Sequence, residues 1–335
     1  MNRNNIMKVL IVGPAHPLRG GIANFTERLA RAFQDEGDKV DVLSFSLQYP
    51  SFLFPGKSQF TDKAAPALNI ITRVNSVNPL NWIKNGRWIR RQNYDMLIFM
   101  YWLPFMAPCQ GTIARLAGKK AFRVGQLHNM IPHEPKKTDK LFSKYFVKHM
   151  DGFVALSASV LEDLNKFDKK KPRDLNPHPV YDSFGDISDK KEARLKLKLD
   201  PEKPVILFFG FIRKYKGLDL LLKAVADAGI KEKEIQVVVA GEFYDDPQEY
   251  MEIINKHELT NVVLRNEFIA DRDVALYFSA CDLVVQPYRT ATQSGVTQIA
   301  FHFEKPMVVT AVGGLPEIVP HEKAGFVVDP EPNAI

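Results

Sequence analysis

The sequence predicts an α/β protein of two domains, each a parallel sheet covered by helices, facing one another across a cleft. Three observations predict it. A chain of 335 residues exceeds what one hydrophobic core comfortably fills. Short apolar, β-branched runs alternate with amphipathic segments, as in parallel strands joined by crossover helices. The same unit also opens both halves, at residues 9–33 and 205–228: an apolar strand, a glycine-bearing loop and an amphipathic helix. Such a unit aims the unpaired N–H groups of the helix's first turn, at the positive end of its dipole, past the carboxyl edge of the sheet, where phosphate commonly sits.

In the first half, residues 7–12 (MKVLIV), 39–45, 95–101, 121–127 and 152–156 read as strands. Ile22, Phe25, Leu29, Ala32 and Phe33 recur at helical spacing between the first two. The second half repeats the plan, with strands expected at 205–209, 235–240, 262–265, 283–286 and 307–310 and helices starting near Gly217, Pro247, Asp271 and Ser294. Residues 169–189, rich in Pro, Asp and Ser with no apolar period, read as the linker, and 190–199 as a short charged helix entering the second domain. The domains are therefore set at 1–178 and 179–335. A strand-like run at 325–329 is followed almost at once by Ile335, so the second domain is expected to be cut short of its closing helices.

Composition narrows the function classes. With 45% hydrophobic and 25% charged residues the chain reads as soluble and globular. Cys109 and Cys281 lie far apart in apolar surroundings, which suggests neither a disulfide framework nor a zinc site and fits a reducing cytosol. No signal-peptide core precedes the first strand. The longest apolar run, residues 96–108, is broken by Pro104 and Pro108 and falls short of the roughly 20 residues that span a bilayer. The net charge of +6 favours anionic partners. Nucleic acid is not expected among them, because zinc-finger spacing, a ribonucleoprotein-type aromatic strand and a long basic tract are all missing.

Ligands of open parallel sheets bind outside the carboxyl ends of the strands. The first such loop, residues 13–21 (GPAHPLRGG), lacks the G-x-G-x-x-G spacing, and the second strand does not end in an acidic residue, so a nicotinamide or flavin site is disfavoured. What remains is Gly20 and Gly21 at a helix start beside His16 and Arg19, which also suits an ordinary strand-to-helix turn. In the second half Arg213, Lys214 and Lys216 crowd the corresponding loop between Gly210 and Gly217. Lys214 reads as solvated, whereas Arg213 and Lys216 fit a site for a diphosphate leaving group.

Four stretches, 20–31 (GGIANFTERLAR), 210–222 (GFIRKYKGLDLLL), 239–242 (VAGE) and 312–328 (VGGLPEIVPHEKAGFVV), make the chain resemble the retaining glycosyltransferases of family 4. Their architecture is two facing Rossmann-like domains, termed GT-B. The resemblance implies an enzyme that moves a sugar from a nucleotide-diphosphate sugar to a saccharide or lipid-linked acceptor, in surface polysaccharide or glycolipid synthesis, with the donor on the second domain. It matches Arg213 and Lys216 to the basic pair that holds the donor diphosphate, and Gly20 and Gly21 to the loop that closes on the donor phosphates or the acceptor. His128, within QLHN at a strand's end, matches a histidine bordering the transferred sugar. Gly210 and Gly241 fall in donor-side loops, and the backbone around Phe268 lies where the family seats the nucleobase.

One departure stands out. Where the family commonly carries two glutamates seven residues apart, residues 286–300 (QPYRTATQSGVTQIA) hold no carboxylate. Ser294, Gly295, Val296 and Thr297 still offer a small-residue helix start suited to phosphate, and Gln293 and Gln298 are candidates to replace carboxylates through their amide oxygens. No Asp-x-Asp cluster suggests a metal, so neither metal nor other cofactor is expected. Retention without an evident nucleophile suggests front-side attack, the departing phosphate taking the acceptor's proton.

The segment 81–91 (NWIKNGRWIRR) places Lys84, Arg87 and Arg91 on one helical face with Trp82 and Ile89 nearly opposite. This reads as a helix covering the sheet, or as one that meets an anionic membrane from the cytoplasmic side. Two rival functions stay open. The missing glutamates fit a non-catalytic nucleotide-sugar binder or degenerate partner subunit, and a nucleotide-sugar epimerase would share the fold.

Overall fold

The computed structural model describes residues 6–50, 58–61, 64–132, 136–181, 184–231, 233–292 and 294–335. The chain divides into two compact units, Met1–Pro177 and His178–Ile335. Each is built on one all-parallel sheet.

The first unit runs β1 (Lys8–Val12), α1 (Gly21–Asp35), β2 (Lys39–Leu47), β3 (Asn69–Asn75), α2 (Pro79–Arg90), β4 (Met96–Tyr101), α3 (Ala107–Ala117), β5 (Phe122–Leu127), α4 (Asp139–Lys148), β6 (Gly152–Ala155), α5 (Ala158–Asn165) and β7 (Arg173–Leu175). Its strands lie in the order β3-β2-β1-β4-β5-β6-β7. Residues 9–12 of β1 are fully buried, because helices cover both faces of the sheet. Alternate side chains go to opposite sides: Val9 and Ile11 pack with Phe25 and Ala30 of α1, while Leu10 and Val12 join a second core with Ile89 of α2, Ile113 of α3, Phe146 of α4 and Val160 of α5.

The second unit runs α6 (Lys190–Lys196), β8 (Val205–Phe209), α7 (Leu218–Val225), α8 (Ala228–Lys231), β9 (Gln236–Ala240), α9 (Gln248–Lys256), β10 (Val262–Arg265), α10 (Asp271–Ala280), β11 (Leu283–Gln286), α11 (Gly295–His302), β12 (Met307–Thr310), α12 (Leu315–Ile318) and β13 (Gly325–Val328). Its order, β10-β9-β8-β11-β12-β13, repeats that of the first unit from β3 to β6, with no counterpart of the edge strand β7. In both sheets the connections reverse direction between the first and fourth strands, β1 and β4 or β8 and β11, and a crevice opens above that point.

Two strands depart from the sequence reading. β3 (NIITRVN) alternates too weakly to stand out, with Val74 its one fully buried apolar side chain. β7 falls inside the expected linker. It is three residues long at the sheet edge, with no buried side chain, so an apolar run is not needed to hold it. The expected helix over 81–91 is α2, which begins earlier because Asn78 caps the N–H of Asn81 and Pro79 occupies the first turn. Its Trp82 and Ile89 face the core, as expected of a helix covering the sheet.

Candidate active site

Glycines fix the carboxyl edge of the second sheet. Gly217 takes a left-handed φ of +66°, and a Cβ there would stand 1.9 Å from the carbonyl oxygen of Pro287. At Gly241 it would stand 2.0 Å from the Gly210 carbonyl oxygen, and at Gly313, φ +52°, 1.4 Å from that of Ala291. Any side chain would wedge these loops apart. Backbone bonds extend the seam: Gly210 N–H to the Ala240 carbonyl (2.9 Å), Ile212 N–H to that of Glu242 (2.9 Å) and Tyr244 N–H to that of Ile212 (3.0 Å). The loops after β8, β9, β11 and β12 therefore form one platform.

Lys216 stands in its centre. The side chain belongs to a 3-10 turn, Lys214–Lys216, that Gly217 ends before α7 begins. Its ammonium lies over Gly210, so that a Cβ on that glycine would be 3.0 Å from Nζ and 3.7 Å from Val296 at the start of α11. The Tyr288 ring lies 5.6 Å away. Lys216 is only 9% exposed, and no carboxylate among the described residues pairs with it. Burial, reinforced by the positive charge of Arg213, lowers its pKa from 10.5 to about 8. A cation held this way is destabilised until an anion joins it.

Arg213 is exposed, its guanidinium 5.7 Å from the Tyr244 ring. Tyr244 in turn lies 4.5 Å from Phe211, and Phe268 stacks on Phe211 at 6.3 Å. These rings come from the loops after β8, β9 and β10, forming an aromatic step beside the two cations. Lys214 turns away to an exposed ion pair with Glu249 at 3.5 Å, consistent with a solvated charge.

At the start of α11, Ser294 is the N-cap residue, and its hydroxyl faces the Tyr288 hydroxyl at 3.3 Å. Gly295 and Val296 follow in the first turn. The Thr297 hydroxyl points into the core, 3.0 Å from the Gln286 amide nitrogen, which leaves only its backbone N–H for a ligand. Gln298 is 3% exposed and so is not a surface glutamine. Gln293 lies outside the described residues.

Sequence reasoning missed Arg289 and Asp219. Arg289 donates its backbone N–H to the Tyr215 carbonyl (2.7 Å) and its guanidinium to the Asp219 carboxylate (2.6 Å), tying the loop after β11 to the turn that carries Lys216. The available signal was an aspartate inside the apolar run LDLLL, a position that demands a buried partner.

In the first unit, Gly20 is the N-cap of α1 at φ +115°, and Gly21 begins the helix. Space around both is open: a Cβ on either would meet nothing within 4 Å. The first turn of α1 has neither a side-chain cap nor an acidic residue. His128 sits just past β5, 6% exposed, its ring edge-on to Phe25 of α1 at 4.8 Å. Gly20, Gly21 and His128 thus share the carboxyl edge of the first sheet.

A separate cavity of about 460 Å³ lies at the opposite, amino edge of the second sheet, lined by Asp200, Lys203, Glu234 and Glu258 among others. Its acidic lining is unsuited to an anionic ligand. Among the described residues, no group of three His, Cys, Asp or Glu side chains is placed to hold a metal ion.

The family profile described as Glycosyltransferase Family 4 matches residues 19–177, and that described as Glycosyl transferases group 1 matches residues 189–335. A D-inositol 3-phosphate glycosyltransferase of Segniliparus rotundus is 31% identical over 188 residues, 55% of this chain and 42% of that protein, so the match spans less than half the relative's length. Among solved structures, sucrose-phosphate synthase from Thermosynechococcus elongatus aligns over 98% of this chain and 87% of its own, with a TM-score of 0.75 at 17% identity. Anabaena HepE in complex with UDP-glucose aligns over the same shares with a TM-score of 0.73 at 18% identity. Likeness at this identity speaks for the fold alone; with the two profiles together taking in nearly all of both units, the chain belongs to glycosyltransferase family 4.

Proposed function

We propose that the protein transfers a sugar from a nucleotide-diphosphate sugar to a saccharide or lipid-linked acceptor, with retention of configuration. The observation that carries this reading is Lys216, a buried ammonium beside a helix start and a second cation, with no carboxylate partner among the described residues. A diphosphate would complete it. Arg213 and Lys216 then neutralise the charge that grows on the leaving phosphate as the glycosidic bond breaks, and the first N–H groups of α11 add to that field. Phe268 and Phe211 offer the base an aromatic surface next to the phosphates. The solved HepE complexes with UDP and with UDP-glucose support a donor of this class.

Since residues 286–300 contain no carboxylate, the acceptor's proton is best taken by the departing phosphate in a front-side displacement. Positive charge comes from side chains, so the reaction needs no metal and persists in chelator. The first unit supplies the acceptor side through Gly20 and Gly21, and its His128 borders the transferred sugar. The reading includes peripheral contact with an anionic membrane.

The carboxylate-free α11 favours one second reading, a nucleotide-sugar binder that does not turn over. Donor consumption in the presence of candidate acceptors separates the two. Arg213→Ala and Lys216→Ala should each lower turnover at least tenfold while leaving the fold intact; near-normal activity in both would overturn the assignment.

A further inference from the structure

The second unit opens at His178, and its described residues between 178 and 188 belong to no helix or strand. They lie along α11 all the same. Tyr181 touches the start of that helix: a Cβ on Gly295, its first residue, would stand 3.2 Å from Cε2 of the tyrosine ring. Among the described residues that Cβ would meet nothing else outside its own helix within 4 Å. Gly185 touches the other end, its carbonyl accepting a hydrogen bond from Nε2–H of His302 at 2.8 Å. From 295 to 302 the helix rises about 10 Å, and the chain from 181 to 185 reaches at most about 14 Å. The segment is therefore a strap laid beside α11 with little slack. It continues onto α10, where the Ser188 N–H is donated to the Ser279 hydroxyl at 3.0 Å.

Tyr181 is held on several sides. It is 4% exposed and packs with Phe184 in the core that contains Ile299 of α11. Its ring stands edge-on to that of His178 at 5.0 Å, and its hydroxyl meets His178 Nε2 at 3.2 Å. The helix start is gripped in turn. Positions 295 and 297 are about 200° apart around a helix, so the Tyr181 ring on Gly295 and the bond between Thr297 and Gln286 hold the first turn from opposite sides. Glycine permits the first of these contacts. Alanine is the better helix former, yet its methyl would drive ring and helix apart by a few tenths of an ångström.

We propose that Tyr181 is a positioning residue for the diphosphate site, seating Gly295 so that the N–H groups opening α11 are aimed at the phosphates beside Lys216. The proposal rests on the donor reading above, which assigns that first turn to the diphosphate. Val296 and the Lys216 ammonium both crowd Gly210, at 3.7 Å and 3.0 Å from the place of its absent Cβ, so a small shift at Gly295 is felt where the positive charge is concentrated. Coupling of this kind is reciprocal. Phosphates bound at α11 must steady the strap as much as the strap steadies the helix.

The test is calorimetric titration of the full chain with UDP and with inorganic pyrophosphate, which carries no base, alongside thermal denaturation and hydrogen exchange of the peptides covering 178–188. Gly295→Ala should keep its Tm while weakening both ligands by about tenfold, within the usual range of coupling between sites. Tyr181→Leu should weaken them to a similar extent. Combined with Gly295→Ala it should recover part of the loss, because the smaller side chain makes room for the methyl. Tyr181→Phe keeps the ring on Gly295 and should bind within about twofold of the unaltered chain. Either ligand should slow exchange in 178–188 of the unaltered chain but not of Tyr181→Leu.

Unchanged affinity in Gly295→Ala and Tyr181→Leu, losses that simply add in the double variant, or exchange that the ligands leave unmoved would overturn the proposal. Binding by the unaltered chain would in each case keep the donor reading. A lowered Tm with full affinity in Tyr181→Leu would reduce the tyrosine to a core side chain, which also overturns it. Binding of neither ligand by the unaltered chain would count against the donor reading itself, and the proposal would fall with it.

Discussion

The guanidinium of Arg289 lies 2.6 Å from the carboxylate of Asp219, which is buried in the first turn of α7. Asp219 thus sits at the positive end of a helix dipole, with Lys223 as a second partner at 3.3 Å. The pair joins the loop after β11 to the turn bearing Lys216, so the position of the site's central cation depends on a contact outside the site.

Removing one partner leaves a buried charge poorly compensated. Arg289→Ala should cost about 2 kcal/mol in urea denaturation, less than a fully buried pair because the arginine is 40% exposed and Lys223 remains. The double variant Asp219→Asn with Arg289→Gln should recover at least half of that loss. Additive losses would show that the two residues do not act together.

Glycines of the platform should differ sharply in tolerance. Gly217→Ala meets the Pro287 carbonyl oxygen at 1.9 Å and must hold φ at +66°, so a loss of about 2 kcal/mol or more is expected, with weakened diphosphate binding. Gly21→Ala faces open space and should be neutral or slightly stabilising, because alanine favours the helix. Thermal denaturation of the two variants checks both signs.

The fold was legible where burial on both faces produces uninterrupted apolar runs, as in β1, β4 and β9. It was illegible where pairing at an edge needs no apolar side chain, as in β7, and where alternation is weak, as in β3. Arg213 and Lys216 stood out as cations between glycines at a strand's end. The Asp219–Arg289 tie did not, since its partners are 70 residues apart and only the fold brings them together. The inward turn of the Thr297 hydroxyl was hidden for the same reason: its partner, Gln286, lies on the preceding strand.

Lys216 makes ligand binding and empty-state stability depend on pH in opposite ways. Its pKa falls from 10.5 in the unfolded chain to about 8 in the fold, so between those values the unfolded state binds more protons. Stability of the empty protein should therefore rise as pH climbs from about 8 toward 10.5. Diphosphate binding needs the ammonium and should weaken over the same interval, beginning at somewhat higher pH once the bound anion raises the pKa. Lys216→Met should abolish this component of both dependences, measured by Tm and by UDP titration across pH 7 to 10.

The central claim is that the cations at the edge of the second sheet hold a nucleoside diphosphate. Calorimetric titration of the full chain with a panel of nucleoside diphosphates, repeated on Lys216→Met and Arg213→Ala, tests it most directly. Binding of at least one member, weakened tenfold or more in each variant while Tm of the ligand-free protein is kept or raised, is the predicted result. No binding by any nucleoside diphosphate, or equal binding by both variants, would contradict it.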